Sequence, residues 1–292
     1  MTERLLDIFT EAALDTLKIL PFLFVTYILM EYIEHKTGEK AKRAIKGAGR
    51  FAPLPGALLG AFPQCGFSAA ASGLYSGRII TVGTLIAVYL STSDEMLPIF
   101  ISERVPAGLI LKVIGIKAVV GIITGFSLDF AAKKLAEIRG KKNADDEPQI
   151  EHLCEHDHCH CEEGIFKSAL THTVKISVFL FLVTLVLGAV IEFAGTDALS
   201  GIITNKPVIG QALAGIVGLI PNCAASVVIT KLYLEGLLSF GAMMSGLLVG
   251  AGIGLLVLFR TNDNLKKNLQ ILGILYAAGV FFGILIDLIG IS

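Results

Sequence analysis

Two stretches of this chain set polar residues in the middle of apolar runs: Pro63-Gln64-Cys65-Gly66-Phe67-Ser68 and Pro221-Asn222-Cys223-Ala224-Ala225-Ser226. A proline inside a helix removes one backbone hydrogen bond and clashes with the preceding turn, so neither run can continue as a straight helix. If the runs are membrane-embedded, the broken backbone must be buried in protein or line a cavity. The fold therefore has to wrap protein around two interruptions.

Composition places the runs in a membrane. Of 292 residues, 54% are hydrophobic and only 17% are charged, and the mean hydropathy is +0.74. A soluble domain would carry about 25% charged residues. Apolar runs recur near the length of about 18 residues that a helix needs to cross hydrocarbon. The short alternating segments of a membrane β-barrel are missing. Glycine is abundant, which suits close helix packing in lipid. The expectation is an all-α polytopic membrane protein. The N-terminal stretch "MTERLLDIFTEAALD" has mixed charge and no small-residue cleavage site, so it reads as the start of a helix and not as a signal peptide. The five cysteines, Cys65, Cys154, Cys159, Cys161 and Cys223, divide between apolar runs and one polar loop, which is no disulfide framework.

The two interruptions belong to a repeat. Pro63 and Pro221 lie 158 residues apart, and so do Cys65 and Cys223, Ser68 and Ser226, Tyr75 and Tyr233, Thr26 and Thr184, and Glu34 and Glu192. The same spacing relates Gly60 to Gly218, Gly83 to Gly241, Gly121 to Gly279, Gly125 to Gly283 and Asp129 to Asp287. Proline, cysteine, glutamate and aspartate are rare in apolar runs, so their coincidence points to internal duplication, a common device of secondary transporters.

Charge gives the orientation. Loop 36–50, segment 133–142 and segment 260–267 are basic, which places all three in the cytoplasm. Their repeat partners at 194–208 and 102–109 carry little net positive charge and fit outside. Equivalent loops thus face opposite sides, and the two halves read as inverted repeats. Each half is expected to hold three spans and one re-entrant helical hairpin: 13–35, hairpin 51–76, 79–101 and 107–131, then 171–193, hairpin 209–234, 237–259 and 269–290. Each hairpin arm is roughly 17 Å long, too short to span. Residues 1–132 and 171–292 form the two membrane units, with a cytoplasmic loop at 133–170 and both termini outside. The proline phrases then mark two hairpin tips meeting near the midplane.

Three groups of residues carry candidate chemistry. The tips offer Gln64, Cys65 and Ser68 against Asn222, Cys223 and Ser226. Paired thiolates would suit a thiophilic ion. Alternatively, the helix N-termini that follow each tip would cradle an anion, or these residues merely cap hairpin helices. The second group is Ser91, Thr92, Ser93, Asp94 and Glu95, two-thirds along the span 79–101. Intramembrane acids mark function by default, and this oxygen-rich set suits a divalent cation or a proton relay. Its repeat partner, 249–254, has no acid. Glu34, Glu192, Asp129 and Asp287 fall at span ends and read as interfacial. The third group is "EHLCEHDHCHCEE" at 151–163, with His152, Cys154, His156, His158, Cys159, His160 and Cys161 among acids. Thiolate and imidazole together suit zinc or copper, in a loop that collects or senses metal.

No P-loop, G-x-S-x-G or H-E-x-x-H motif is present, so no enzyme is expected and transport must run on an ion gradient or downhill. The basic loops are explained by orientation and give no basis for nucleic-acid binding. Gly241, Gly246, Gly250, Gly252 and Gly254 suit helix packing within one chain or in a homo-oligomer.

The paired "PQC" and "PNC" phrases, "STSDE" at 91–95 and "HDHCHCEE" at 156–163 resemble the ten-transmembrane heavy-metal exporter family, whose members are labelled arsenic efflux proteins or manganese transporters. The resemblance covers essentially the whole chain. Its ten segments equal six full spans plus four hairpin halves. It implies export of a metal or metalloid across a prokaryotic plasma (inner) membrane, with the metal as substrate and no required cofactor. Manganese would prefer Asp94, Glu95, the amides and the hydroxyls, whereas arsenite, zinc or cadmium would prefer the cysteines. Two functions stay open: a proton-coupled exporter of a heavy metal or metalloid, and a cation-coupled permease for a small anion or organic solute with a regulatory metal-binding loop.

Overall fold

Helix boundaries recur at the 158-residue spacing. A computed structural model describes residues 51–61, 65–93, 96–138, 165–194 and 208–290, together with scattered positions between 9 and 28. The described positions of 9–28 are helical, here α1. There follow α2 (Pro53–Gly60), α3 (Cys65–Ser76), α4 (Val82–Ser91), α5 (Met96–Ser102) and α6 (Ala107–Ile138). After these come α7 (Ile165–Ala194), α8 (Ile209–Gly218), α9 (Cys223–Leu234), α10 (Phe240–Val249), α11 (Ile253–Thr261) and α12 (Leu265–Ile289). The bounds of α9 and α10 are those of α3 and α4 displaced by 158, and α12 begins 158 residues after α6. No strand occurs among the described residues.

Local chemistry sets these bounds. Pro53 opens α2, where a missing N–H costs nothing. Thr81 caps α4 by accepting the Thr84 N–H, and Ser239 caps α10 by accepting the Ala242 N–H. The turns before them are also alike. Arg78 (φ 56°) and Gly236 (φ 76°) close α3 and α9 in the left-handed region. Each turn carries the paired backbone bonds of a Schellman motif, Ile79 N–H to Leu74 O and Leu237 N–H to Leu232 O.

The helices divide where the proline phrases predict, α2 from α3 and α8 from α9. The expected continuous spans 79–101 and 237–259 do not exist as such; both are broken helices. In the first, Thr92 leaves the helix with ψ 127°. The Ser91 and Thr92 hydroxyls turn back onto the carbonyls of Ala87 and Val88, and the Thr92 N–H reaches those of Val88 and Tyr89. In the second, Gly250 leaves with ψ 86°, and Gly252 takes φ 54°, ψ −140°, a conformation that only glycine adopts readily.

Three stretches among the described residues are long and apolar enough to cross a membrane: Ala107–Leu135, Phe240–Thr261 (which contains the break) and Leu265–Ile289. Their burial separates two roles. The Phe240–Thr261 window is 78% buried, against 28% for each of the other two. The broken helix is thus encased in protein, and α6 and α12 expose one side. Around them, α4 packs between α2 and α6, α10 packs between α8 and α12, and α3 lies along α11. One apolar core, including Leu85, Tyr89, Met96, Ile229, Leu247 and Leu255, joins both halves.

Two contacts fix direction. Gly83, at the start of α4, bonds Asp129 near the far end of α6. Phe240, at the start of α10, lies under the Lys112 ammonium, 5.3 Å from ring centroid to nitrogen, near the beginning of α6. Equivalent helices therefore start at opposite ends of α6.

Candidate functional site

The two short helices that lead to the proline phrases each end against a neighbouring broken helix. At Gly60, the last residue of α2, a side chain would overlap Ser91 Oγ and the Val88 carbonyl. At Gly218, the last residue of α8, it would overlap the Gly246 carbonyl. Glycine at these two positions lets backbone meet backbone, and so brings the end of α2 against the last turn of α4 and the end of α8 against α10.

Ser91, Thr92 and Ser93 are buried at the first break. Their hydroxyls donate to helix carbonyls, and Ser93 Oγ donates to Ser91 O at 3.1 Å. Their lone pairs remain chemically able to face a cation. Ser68 is fully buried one turn into α3 and packs on Gly254, the second residue of α11, so the first hairpin reaches the second break. Asn222 is half-buried, and its carbonyl accepts the Ala225 N–H at 3.2 Å, starting α9. Ser226 is half-buried, and its carbonyl accepts the Thr230 hydroxyl. Cys65 and Cys223 are the first residues of α3 and α9; their side chains lie outside the described residues. Gln64, Asp94, Glu95 and the loop residues His152, Cys154, His156, His158, Cys159, His160 and Cys161 also lie outside them. Among the described residues no three His, Cys, Asp or Glu side chains gather.

Sequence reasoning missed two polar features beside the breaks. Lys117, about a third of the way along α6, is only 1% exposed, and its Nζ donates to the Leu247 carbonyl of α10 at 2.7 Å. A lysine in the interior of an apolar span was a readable signal. The second feature is a hydroxyl pair. Ser72 Oγ and Tyr89 Oη lie 2.6 Å apart, and both are within hydrogen-bonding distance of the Gly254 carbonyl, at 2.7 and 3.1 Å; with one proton each, one hydroxyl donates to that carbonyl while the other donates to its neighbour. Lys117, Ser72 and Tyr89 come from the first half, and the Leu247 and Gly254 carbonyls from the broken helix of the second.

The four span-end acids acquire partners or fall outside view. Asp129 accepts Thr81 Oγ1 and Gly83 N, and Asp287 accepts Ser239 Oγ, Gly241 N and Gln211 Nε2. They clip α4 and α10 in place, a structural role at the helix starts. The Glu34 and Glu192 side chains lie outside the described residues. The glycines proposed for packing meet the same chain: Gly241 meets Gly283, Gly246 meets Ile229 and Ala214, and Gly254 meets Ser68.

Comparison with known proteins gives one family. The profile described as "Putative, 10TM heavy-metal exporter" matches residues 4–194 and again 160–291. Neither curated proteins nor solved structures gave a match. Helices apolar enough to cross a membrane, breaks encased by protein and a profile that matches almost the whole length agree. The chain belongs to the ten-transmembrane heavy-metal exporter family.

Proposed function

We propose that this protein is a secondary-active exporter of a heavy-metal cation or metalloid of the manganese, zinc, cadmium or arsenite class, driven by protons. The cargo site lies near the midplane where tips and breaks converge. Gln64, Cys65, Ser68, Asn222, Cys223 and Ser226 supply tip ligands. Ser91, Thr92, Ser93, Asp94 and Glu95 supply hard oxygens, and the two acids exchange protons for the ion. The His/Cys loop within 133–170 gathers or senses metal.

The observation that carries this reading is the start of α4 and of α10 at opposite ends of α6. It supports units 1–132 and 171–292 as inverted repeats, an architecture in which substrate binds at the repeat interface and alternating access comes from rocking. Broken helices there expose backbone dipoles to the cargo. The test is flux of Mn²⁺, Zn²⁺ and Cd²⁺ into proteoliposomes holding a metal-quenched dye, with and without a pH gradient. Gradient-driven flux that Cys65→Ser/Cys223→Ser or Asp94→Asn loses is expected. Flux unchanged in both variants removes the proposed site.

One observation favours a second reading, a cation-coupled permease for a small anion: α3 and α9 both present their N-termini at the tips. Counterflow of labelled carboxylates or oxyanions, without metal flux, would select it.

A further inference from the structure

We propose that Lys117 is a tethered cation. Its ammonium stands at the C-terminal end of α10, where an inorganic monovalent cation would otherwise complete the site, and it joins the two halves there. The inference rests on the transporter reading above.

Lys117 is the eleventh residue of α6, about 15 Å along the helix, which is close to the middle of a hydrocarbon core. It is buried in protein, with Nζ 2.7 Å from the Leu247 oxygen. Leu247 lies in the last turn of α10, whose carbonyls the break deprives of their usual N–H partners and where the helix dipole is negative. Such an end, beside unwound backbone at mid-membrane, is a chemical environment that attracts a monovalent cation.

The repeat shows that the arrangement is not a generic need of this fold. In the equivalent helix α4 the carbonyl that matches Leu247's is Tyr89's, which accepts the Thr92 N–H at 3.3 Å, and the Ser91 and Thr92 hydroxyls add bonds to the carbonyls of Ala87 and Val88. The repeat partners of Ser91 and Thr92 are Val249 and Gly250, which have no hydroxyl to offer. The repeat partner of Lys117 is Leu275, buried and apolar. The positive charge is thus supplied once, across the junction between halves, at the one broken end without a local hydroxyl.

The experiment uses the full chain, purified and reconstituted, as wild type, Lys117→Ala and Lys117→Met. Melting and flux of Cd²⁺, Zn²⁺ and Mn²⁺ are compared in choline, Na⁺ and methylammonium salts. Wild type should melt and transport alike in choline and Na⁺. Lys117→Ala should lose flux roughly tenfold in choline. Methylammonium or Na⁺ should raise its melting point by about 3 °C or more and restore several-fold flux. Lys117→Met, which fills the space without charge, should lose flux and gain nothing from either salt. A merely structural lysine would not create a cation response. Three results overturn the proposal: a wild type that requires Na⁺, a Lys117→Met protein that transports as wild type, or a Lys117→Ala protein that ignores both small cations. If Lys117→Ala folds only when purified in methylammonium, the proposal is supported; if it folds in neither salt, it is overturned. Melting needs no flux, so a wild type that moves no metal would sink the exporter reading and leave Lys117 to be decided by the melts.

Discussion

Asp287 Oδ1 accepts the backbone N–H of Gly241 at 2.7 Å, and 158 residues earlier Asp129 Oδ1 accepts that of Gly83 at 3.0 Å. The same clip is built twice, but the second also holds Ser239 Oγ and Gln211 Nε2. Asp287→Ala should therefore cost about 2 kcal/mol and Asp129→Ala about 1 kcal/mol. Unfolding in mixed detergent micelles checks the ranking, and equal losses would contradict it.

The tip glycines should tolerate no side chain. Alanine at Gly60 or Gly218 pushes a methyl into backbone carbonyls and should cost about 1–3 kcal/mol. A side chain at Gly108 or Gly273 meets nothing within 4 Å, so alanine there should stabilise by up to about 1 kcal/mol. Melting points of the four single variants, two falling and two unchanged or rising, are the expected pattern.

Gly252 holds the second break with φ 54°. Gly252→Ala should destabilise by about 1–3 kcal/mol. If the break serves the cargo path, its metal flux should fall further than the folded fraction does. A flux loss that merely follows the folded fraction would make the break architectural.

Tyr89 and Ser72 converge on one acceptor, Gly254 O. Tyr89→Phe and Ser72→Ala should each cost about 1 kcal/mol. Their double mutant should differ from the sum by at least about 0.5 kcal/mol, because the two hydroxyls also bond each other. Strict additivity in a double-mutant cycle would show that they act separately.

Much of this architecture was legible, for physical reasons. Proline excludes itself from helix interiors, so Pro63 and Pro221 announced both hairpin divisions, and the bounds Cys65–Ser76 and Cys223–Leu234 follow them. The breaks at Thr92 and at Gly250–Gly252 were not legible. Serine, threonine and glycine are all accommodated in membrane helices, and whether a hydroxyl turns onto its own helix end depends on what packs outside it. Matched Asp129 and Asp287 could be seen to end spans. Their partners lie 46 residues away in sequence, out of reach of any local pattern. For the candidate site, Ser91, Thr92 and Ser93 are buried at the first break, and Ser68, read as a tip residue, packs on Gly254 just after the second. Lys117 was visible as a charge in an apolar run, but its bond to the Leu247 carbonyl depends on where α10 stops, at Gly250.

The unequal ends of α4 and α10 bear on how the chain is made. Ribosomal synthesis delivers the N-terminal half first. A nascent chain ending before residue 150 already contains the hydroxyls that turn onto the end of α4, since Ser91 and Thr92 are its own. The break in α10 enters the bilayer later, into the company of an α6 that already carries Lys117. Order of synthesis thus places the donor before the acceptor that depends on it. Were the halves produced as separate polypeptides, the first would keep the hydroxyls at its broken helix end, and the second would await its partner.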